Sequence, residues 1–369
     1  MNRNFVRMHH DVCFGRSGGK IIWQPRISCW YFDKQFENEP LPAPFTGMDL
    51  PTIYHELDCS ARLYAYNASY EPVEHPAVRK YERQLNDLDT EYVVETPVGK
   101  QTSVYRRSLN NRGRLTVKWD IACEAEMKVA IWRTQNTTWR WNQANYDAAD
   151  KEWGNLGAPT MYVPRVNIQD LYINRMGVEA GVYALCDWPD TTAAYFRALD
   201  ECHDRLMDVI NASPIDIINF GDNIHCGTLP PDLFCKYVLP VYQKRCEKLH
   251  RAGKFIHAHW DGDVKALLPY ARETGLDGIE AITPKPQGDV TLEEIKTALG
   301  DEMFLIDGIP AIYFDKTFSV AVLEDCTRRL IDLFAPKLVL GISDEISSTG
   351  DLERIRLVGK IVEEYNARQ

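Results

Sequence analysis

The chain has 369 residues, 45% of them hydrophobic and 26% charged, proportions that exclude a disordered or fibrous protein. A chain of this length buries enough surface to hold a core without disulfides or a structural metal. Its formal charge of −11 speaks against a nucleic-acid or anionic-membrane surface, since both reward clustered Lys and Arg. No stretch approaches the roughly 18 apolar residues of a membrane span. The start carries Arg3, Arg7 and two histidines but no apolar segment, unlike a secretory signal. Ten cysteines without a CxxC pair read as thiols of a reducing compartment, so the expected location is cytoplasmic.

Taken in chain order, residues 1–80 mix short apolar runs with Pro and polar interruptions and read as an N-terminal extension packed on the rest of the chain. Residues 91–94, 102–105 and 115–119 are strand-like. The turn signals Thr96-Pro97-Val98-Gly99 and Asn110-Asn111-Arg112-Gly113 separate them, so 87–120 reads as a β-hairpin insertion. An aromatic stretch comes next, with Trp132, Trp139, Trp141, Tyr146 and Trp153 and an interleaved Arg133 and Arg140. In an acidic chain it fits a packing layer or a ligand-cavity wall better than a nucleic-acid surface.

From 215 onward the pattern becomes regular. Apolar strands at 215–220, 255–259, 277–282, 303–306 and 338–342 alternate with amphipathic helices. Pro230-Pro231 opens one helix, which stops at Gly253, and a second covers 264–273. A third opens with the capping box Thr291-Leu292-Glu293-Glu294 and stops at Gly300. Further helices cover 321–334 and 352–365. Such alternation with short loops implies parallel strands and right-handed crossovers. The expected fold is therefore α/β, a TIM-type (β/α)8 barrel forming a single domain over 1–369. Neither standard Gly-rich phosphate loop is present.

In such a barrel the catalytic groups belong at the C-terminal strand ends. Those ends read Gly221-Asp222-Asn223-Ile224-His225, then His257-Ala258-His259-Trp260-Asp261, then Glu280, then Asp307-Gly308, and finally Ser343-Asp344-Glu345. His257 and His259 stand two apart on a strand, so both imidazoles project to one face and can meet one metal ion. Glu280 on the next strand would add an oxygen ligand, and Asp344 or Glu345 the fourth. A nitrogen and oxygen set suits zinc without excluding other divalent ions. Asp222 and His225 are the candidates for proton transfer, and Asn223, Asp307 and Trp260 for substrate binding. Asp261 would fix a histidine tautomer or cap the next helix.

Several runs together carry a family resemblance. Ile218-Asn219-Phe220-Gly221-Asp222-Asn223, Pro231-Asp232-Leu233-Phe234, Gly253-Lys254-Phe255-Ile256-His257-Ala258-His259, Gly275-Leu276-Asp277-Gly278-Ile279-Glu280 and Gly308-Ile309-Pro310 resemble, in order, the uroporphyrinogen decarboxylase superfamily. The resemblance implies a TIM-type barrel and one of two chemistries. The cofactor-independent decarboxylases use an Arg-x-Ala-Gly-Arg-type motif, where this chain reads Gln24-Pro25-Arg26-Ile27-Ser28. The other branch, zinc-dependent methyltransferases that work with corrinoid proteins, uses a His-x-Cys pair and a later Cys. Here His257 matches, His259 replaces the Cys, and Ser343-Asp344-Glu345 holds no Cys. Such a harder donor set suits an oxygen substrate. The expectation is a methyltransferase moving a methyl group from a small O-methyl compound to a corrinoid protein. No Asp-x-His-x-x-Gly run appears, so the corrinoid would arrive on a partner. A decarboxylase and a non-catalytic barrel are the alternatives, a folate acceptor stays open, and the resemblance leans toward a homodimer.

Overall fold

Apolar runs with few charges form strands buried on both faces, as parallel strands covered by helices require. In the computed structural model, which describes residues 3–369, seven strands build one parallel sheet. They are β1 (Ile22–Trp23), β2 (Thr160–Val163), β3 (Ile217–Ile224), β4 (Phe255–Trp260), β5 (Gly278–Glu280), β6 (Phe304–Pro310) and β7 (Leu338–Ser343). Their order is β1-β7-β6-β5-β4-β3-β2. Register places His257 beside Asn219 and Gly278, and His259 beside Glu280, so the residues at these strand ends lie level with one another.

Seven strands share the ladder, with β1 and β2 at its two ends, a parallel α/β sheet consistent with the expected TIM-type fold. Residues 59–63, buried throughout, make only scattered backbone bonds. Ser60 N–H donates to Trp23 O and Ala61 N–H to Leu156 O, and no regular ladder forms. The helices obey their sequence signals. Thr291 caps Leu292–Leu299 with both halves of its capping box present, and Val320–Phe334 and Leu352–Asn366 are helical. The run after Pro230-Pro231 is interrupted by a π turn at Phe234–Val238 before Leu239–His250. The helix expected over 264–273 shrinks to a 3₁₀ segment, Leu268–Glu273, with Pro269 in its first turn.

These elements belong to one compact unit, Met1–Ala68, Gln143–Val163 and Pro214–Gln369, while Ser69–Asn142 and Pro164–Ser213 form a second. The second unit contains the expected hairpins as a four-stranded antiparallel sheet of Arg79–Gln84, Asp89–Thr96, Gly99–Arg107 and Arg114–Lys118. Thr96 pairs with Gly99, which leaves Pro97-Val98 as the turn. A short ribbon, Tyr70–Val73 with Thr138–Trp141, and helices including Glu124–Gln135 and Pro189–Asn211 complete that unit. Among the described residues no helix is long and apolar enough to cross a membrane.

The aromatic stretch does not form one cavity wall. Trp132 packs on His75 and Trp139 on Tyr70 in the second unit, whereas Tyr146 packs on Tyr66 and Trp153 on Tyr54 in the first.

Candidate active site

Strand alternation sorts the candidate residues onto two faces. On β4, His257 and His259 share the face that meets Glu280. Trp260 takes the opposite face and stacks edge-on against Phe234, with ring centroids 5.4 Å apart, fully buried. Its expected role in substrate binding is therefore corrected to packing between sheet and helix. The same sorting applies on β3. Asn219 donates to Glu280 Oε2, while Phe220 and Asp222 turn toward helix Leu239–His250. There Tyr242 donates its hydroxyl to Asp222 Oδ2 at 2.7 Å, and its ring lies 5.2 Å from Phe220. Asp222, expected to transfer protons, is instead a fully buried acceptor between strand and helix. Asn223 donates to Asp261 Oδ2 at 3.2 Å. His225 sits in the loop after β3, with Nε2 3.2 Å from Thr228 Oγ1.

Glu280 is the hub. Its Oε1 accepts from Tyr162 at 3.1 Å, lies 2.8 Å from Arg62 Nη1 and 3.1 Å from His259 Nδ1. Its Oε2 accepts from Asn219 and lies 3.0 Å from His257 Nδ1. Arg62 forks onto Asp307 through two bonds of 3.0 and 2.7 Å, and its Nε donates to Gln24 Oε1 at 3.1 Å. Bidentate guanidinium–carboxylate pairs of this kind fix orientation as well as charge. Gly341 leaves the space: a Cβ there would stand 2.2 Å from Asp307 Oδ1. Arg62 was not among the residues expected from the sequence. Its signal was a lone charge in the small, apolar run Cys59-Ser60-Ala61-Arg62-Leu63.

Asp344 and Glu345 do not join the histidines. Both lie beside Arg26, with Asp344 Oδ1 3.7 Å from Nη1 and Glu345 Oε1 3.6 Å from Nε. Glu345 Oε2 also accepts from Cys29 N–H at 3.1 Å. Arg26 Nη1 is 3.6 Å from Glu280 as well. At those separations the buried Nε and Nη1 make no hydrogen bond, so the guanidinium is charge-balanced yet keeps donors to offer. Tyr64 lies under it, 6.0 Å from the guanidinium carbon, and stacks on Tyr162 at 4.9 Å. Ala281, Asp307 and Asp344 all hold positive φ, 67°, 80° and 75°. These are left-handed conformations costly for residues with a side chain, and they cluster where chemistry is expected.

Electrostatics derive from burial and partners. Burial pushes the Glu280 carboxyl up, but Arg62 and the two imidazoles outweigh it and hold the group well below the usual carboxylate range. Burial pulls His259 down, yet the facing carboxylates of Asp261 and Glu280 win and raise it to about 9. Asp307 moves upward because burial and the nearby Glu280 oppose Arg62. The cluster is thus an ionised glutamate against a guanidinium and an imidazolium.

This donor set does not fit zinc as folded. His257 Nδ1, buried without a hydrogen bond 3.0 Å from Glu280 Oε2, is the one atom a metal would satisfy. Glu280, however, is already committed to Arg62, Asn219, Tyr162 and His259, and a dication on it would lie against two guanidiniums. Among the described residues no group of three or more His, Cys, Asp and Glu side chains is arranged to hold a metal ion. The expected ligand set of His257, His259, Glu280 and Asp344 or Glu345 is corrected to an ion-paired cluster of the first three with Arg62.

No protein-family model matches the chain, and no curated protein does. Among solved structures, a methyltransferase from Methanosarcina mazei superposes with a TM-score of 0.51 at 12% identity, covering 71% of this chain and 75% of that one. The likeness shows a shared α/β barrel-type fold. Type I 3-dehydroquinate dehydratase from Clostridium difficile reaches a TM-score of 0.32 at 8% identity, over 65% of this chain and 78% of that one.

Proposed function

We propose that the chain is a methyltransferase component that takes the methyl group of a small O-methyl compound for the corrinoid of a partner protein, using its own proton donor at the leaving oxygen. The observation that carries this reading is His259. Its Nδ1 faces Glu280 Oε1 at 3.1 Å and its Nε2 faces Asp261 Oδ2 at 3.7 Å, so both ring nitrogens look at carboxylates and the ring is held doubly protonated. The fold shared with the methanosarcinal methyltransferase and the sequence resemblance support the same reading.

Breaking a methyl–oxygen bond leaves the bonding electrons on the oxygen, a poor leaving group unless it is protonated. His259 gives its proton to that oxygen, and Glu280 keeps the ring in place. Asp261, with 28% of its side chain exposed, connects the ring to solvent for reprotonation. Arg26 offers its two unused N–H groups to the same oxygen as charge develops. The corrinoid supplies the electron pair that accepts the methyl group. Incubating the protein with methoxybenzenes and free cob(I)alamin tests this: demethylated phenol should appear together with the absorption change of the cobalamin. No phenol from any methyl ether would overturn it.

A second reading, a cofactor-independent decarboxylase, is favoured by one observation, the two buried guanidiniums of Arg26 and Arg62, which suit a substrate carboxylate. Carbon dioxide release from uroporphyrinogen, without methyl transfer, would select it.

A further inference from the structure

A cavity of about 370 Å³ lies against the N-terminal helix Phe5–Cys13, apart from the strand-end cluster around Glu280. Its lining holds four cations, Arg3, Arg7, Arg16 and Lys20, and a single carboxylate, Asp11. That imbalance is opposite in sign to a chain of net charge −11. Asp11 lies 3.4 Å from Arg7 and 3.5 Å from Arg16, and Arg3 is drawn to Asp58 and Glu363. Arg16 also meets His10. Lys20 has no ion-pair partner among the described residues, and Arg7 leaves 81% of its side chain exposed. One carboxylate cannot neutralise Arg7, Arg16 and Lys20 together, so the cavity keeps an excess of positive charge.

The backbone at the rim adds to this. Phe14-Gly15-Arg16-Ser17-Gly18-Gly19-Lys20 turns through three left-handed glycines, with φ of 69°, 64° and 92° at Gly15, Gly18 and Gly19. Glycine is the residue that accepts such angles without strain. The N–H groups of Phe14, Gly15, Arg16 and Lys20 bond to carbonyls of the helix end and loop. Among the described residues those of Ser17, Gly18 and Gly19 have no backbone acceptor, the kind of amide that binds anions. Ser17 adds a hydroxyl to the lining, and Met8 gives it an apolar side above the buried Val12 and Ile21. The volume falls in the range of small-molecule sites, about 300–1,000 Å³.

We propose that this cavity binds a small phosphate-bearing molecule, its phosphate oxygens held by Lys20, Arg16 and Arg7 beside Ser17 and its apolar part resting on Met8. The charge matches a doubly charged anion better than a carboxylate, which a single arginine already satisfies. The site is independent of the chemistry proposed for the strand ends.

Calorimetric titration of the full chain with inorganic pyrophosphate at 0.15 M salt tests it. The expected result is saturable binding of one equivalent. Lys20→Gln and Arg7→Gln together, at positions that hold no buried contact, should weaken it roughly tenfold or more while the melting temperature stays unchanged. Lys337→Gln, outside the cavity, should bind as wild type does. Three results would overturn the proposal: no saturable heat, equal affinity in the double variant, or binding that vanishes between low salt and 0.15 M as loose screening does. A single-stranded oligonucleotide competing in proportion to its length would also overturn it, by pointing to a polymer instead.

Discussion

Two strand ends a short way around the sheet carry the same kinds of residue and reach opposite states. At β4 and β5, His257, His259 and Glu280 are buried, and every charge there has a named partner. At the end of β7, Asp344 leaves 62% of its side chain exposed and, among the described residues, has its ion pair with the edge of Arg26 at 3.7 Å. A carboxylate at a strand end therefore says little about chemistry until its burial and counter-charge are known. What separates the two ends is Arg62, which comes from an irregular segment and reaches Glu280 and Asp307 together.

Removing that arginine should break the contrast most severely. Arg62→Ala removes the guanidinium that two fully buried carboxylates share, and a loss of about 3–5 kcal/mol in stability is expected by denaturant unfolding. His259→Gln keeps shape and a hydrogen-bonding end but cannot give up a proton at neutral pH. Methyl-ether turnover should fall by about 10²–10⁴-fold, and the unfolding midpoint should also drop, because the imidazolium's pairing with buried Glu280 is lost.

Glu280→Gln sharpens the comparison through pH. His259 is raised from 6.5 to about 9 by Asp261 and Glu280 against burial, so the proton-bearing form is the one its surroundings stabilise. That contribution to stability is complete below about pH 6.5 and fades as pH rises through about 9. Activity that needs the proton should fall over the same rise, and in Glu280→Gln the fall should move to lower pH. Tyr242→Phe removes one donor from buried Asp222 and should cost about 1–3 kcal/mol without touching turnover. That outcome separates a packing aspartate from a catalytic one. Asp344→Asn should do least, within about 0.5 kcal/mol.

Much of this was legible in the sequence. The alternation of apolar runs with capped helices gave the parallel sheet, and His-x-His on a strand gave one shared face. The spacing of β4 and β5 brought Glu280 level with that face. The misplacements have a common cause: residue type at a strand end does not say which way the side chain points. Asp222 and Trp260 fell on the helix-facing side because their neighbours, Asn219 and His259, took the other. Arg62, Tyr162 and Tyr64 escaped notice, and Arg26 stood out only against the decarboxylase motif, because they come from short or irregular segments whose lengths carry no periodic signal. Only the folded register shows that they converge on Glu280.

The most direct test of the central claim is methyl transfer from a methoxybenzene to cob(I)alamin by chelator-treated protein, monitored across pH. The expected result is phenol formation that survives removal of divalent metals, declines as pH rises through about 9, and is lost in His259→Gln. Phenol formation that stops on chelation and returns with added zinc would contradict it and restore the two histidines as metal ligands.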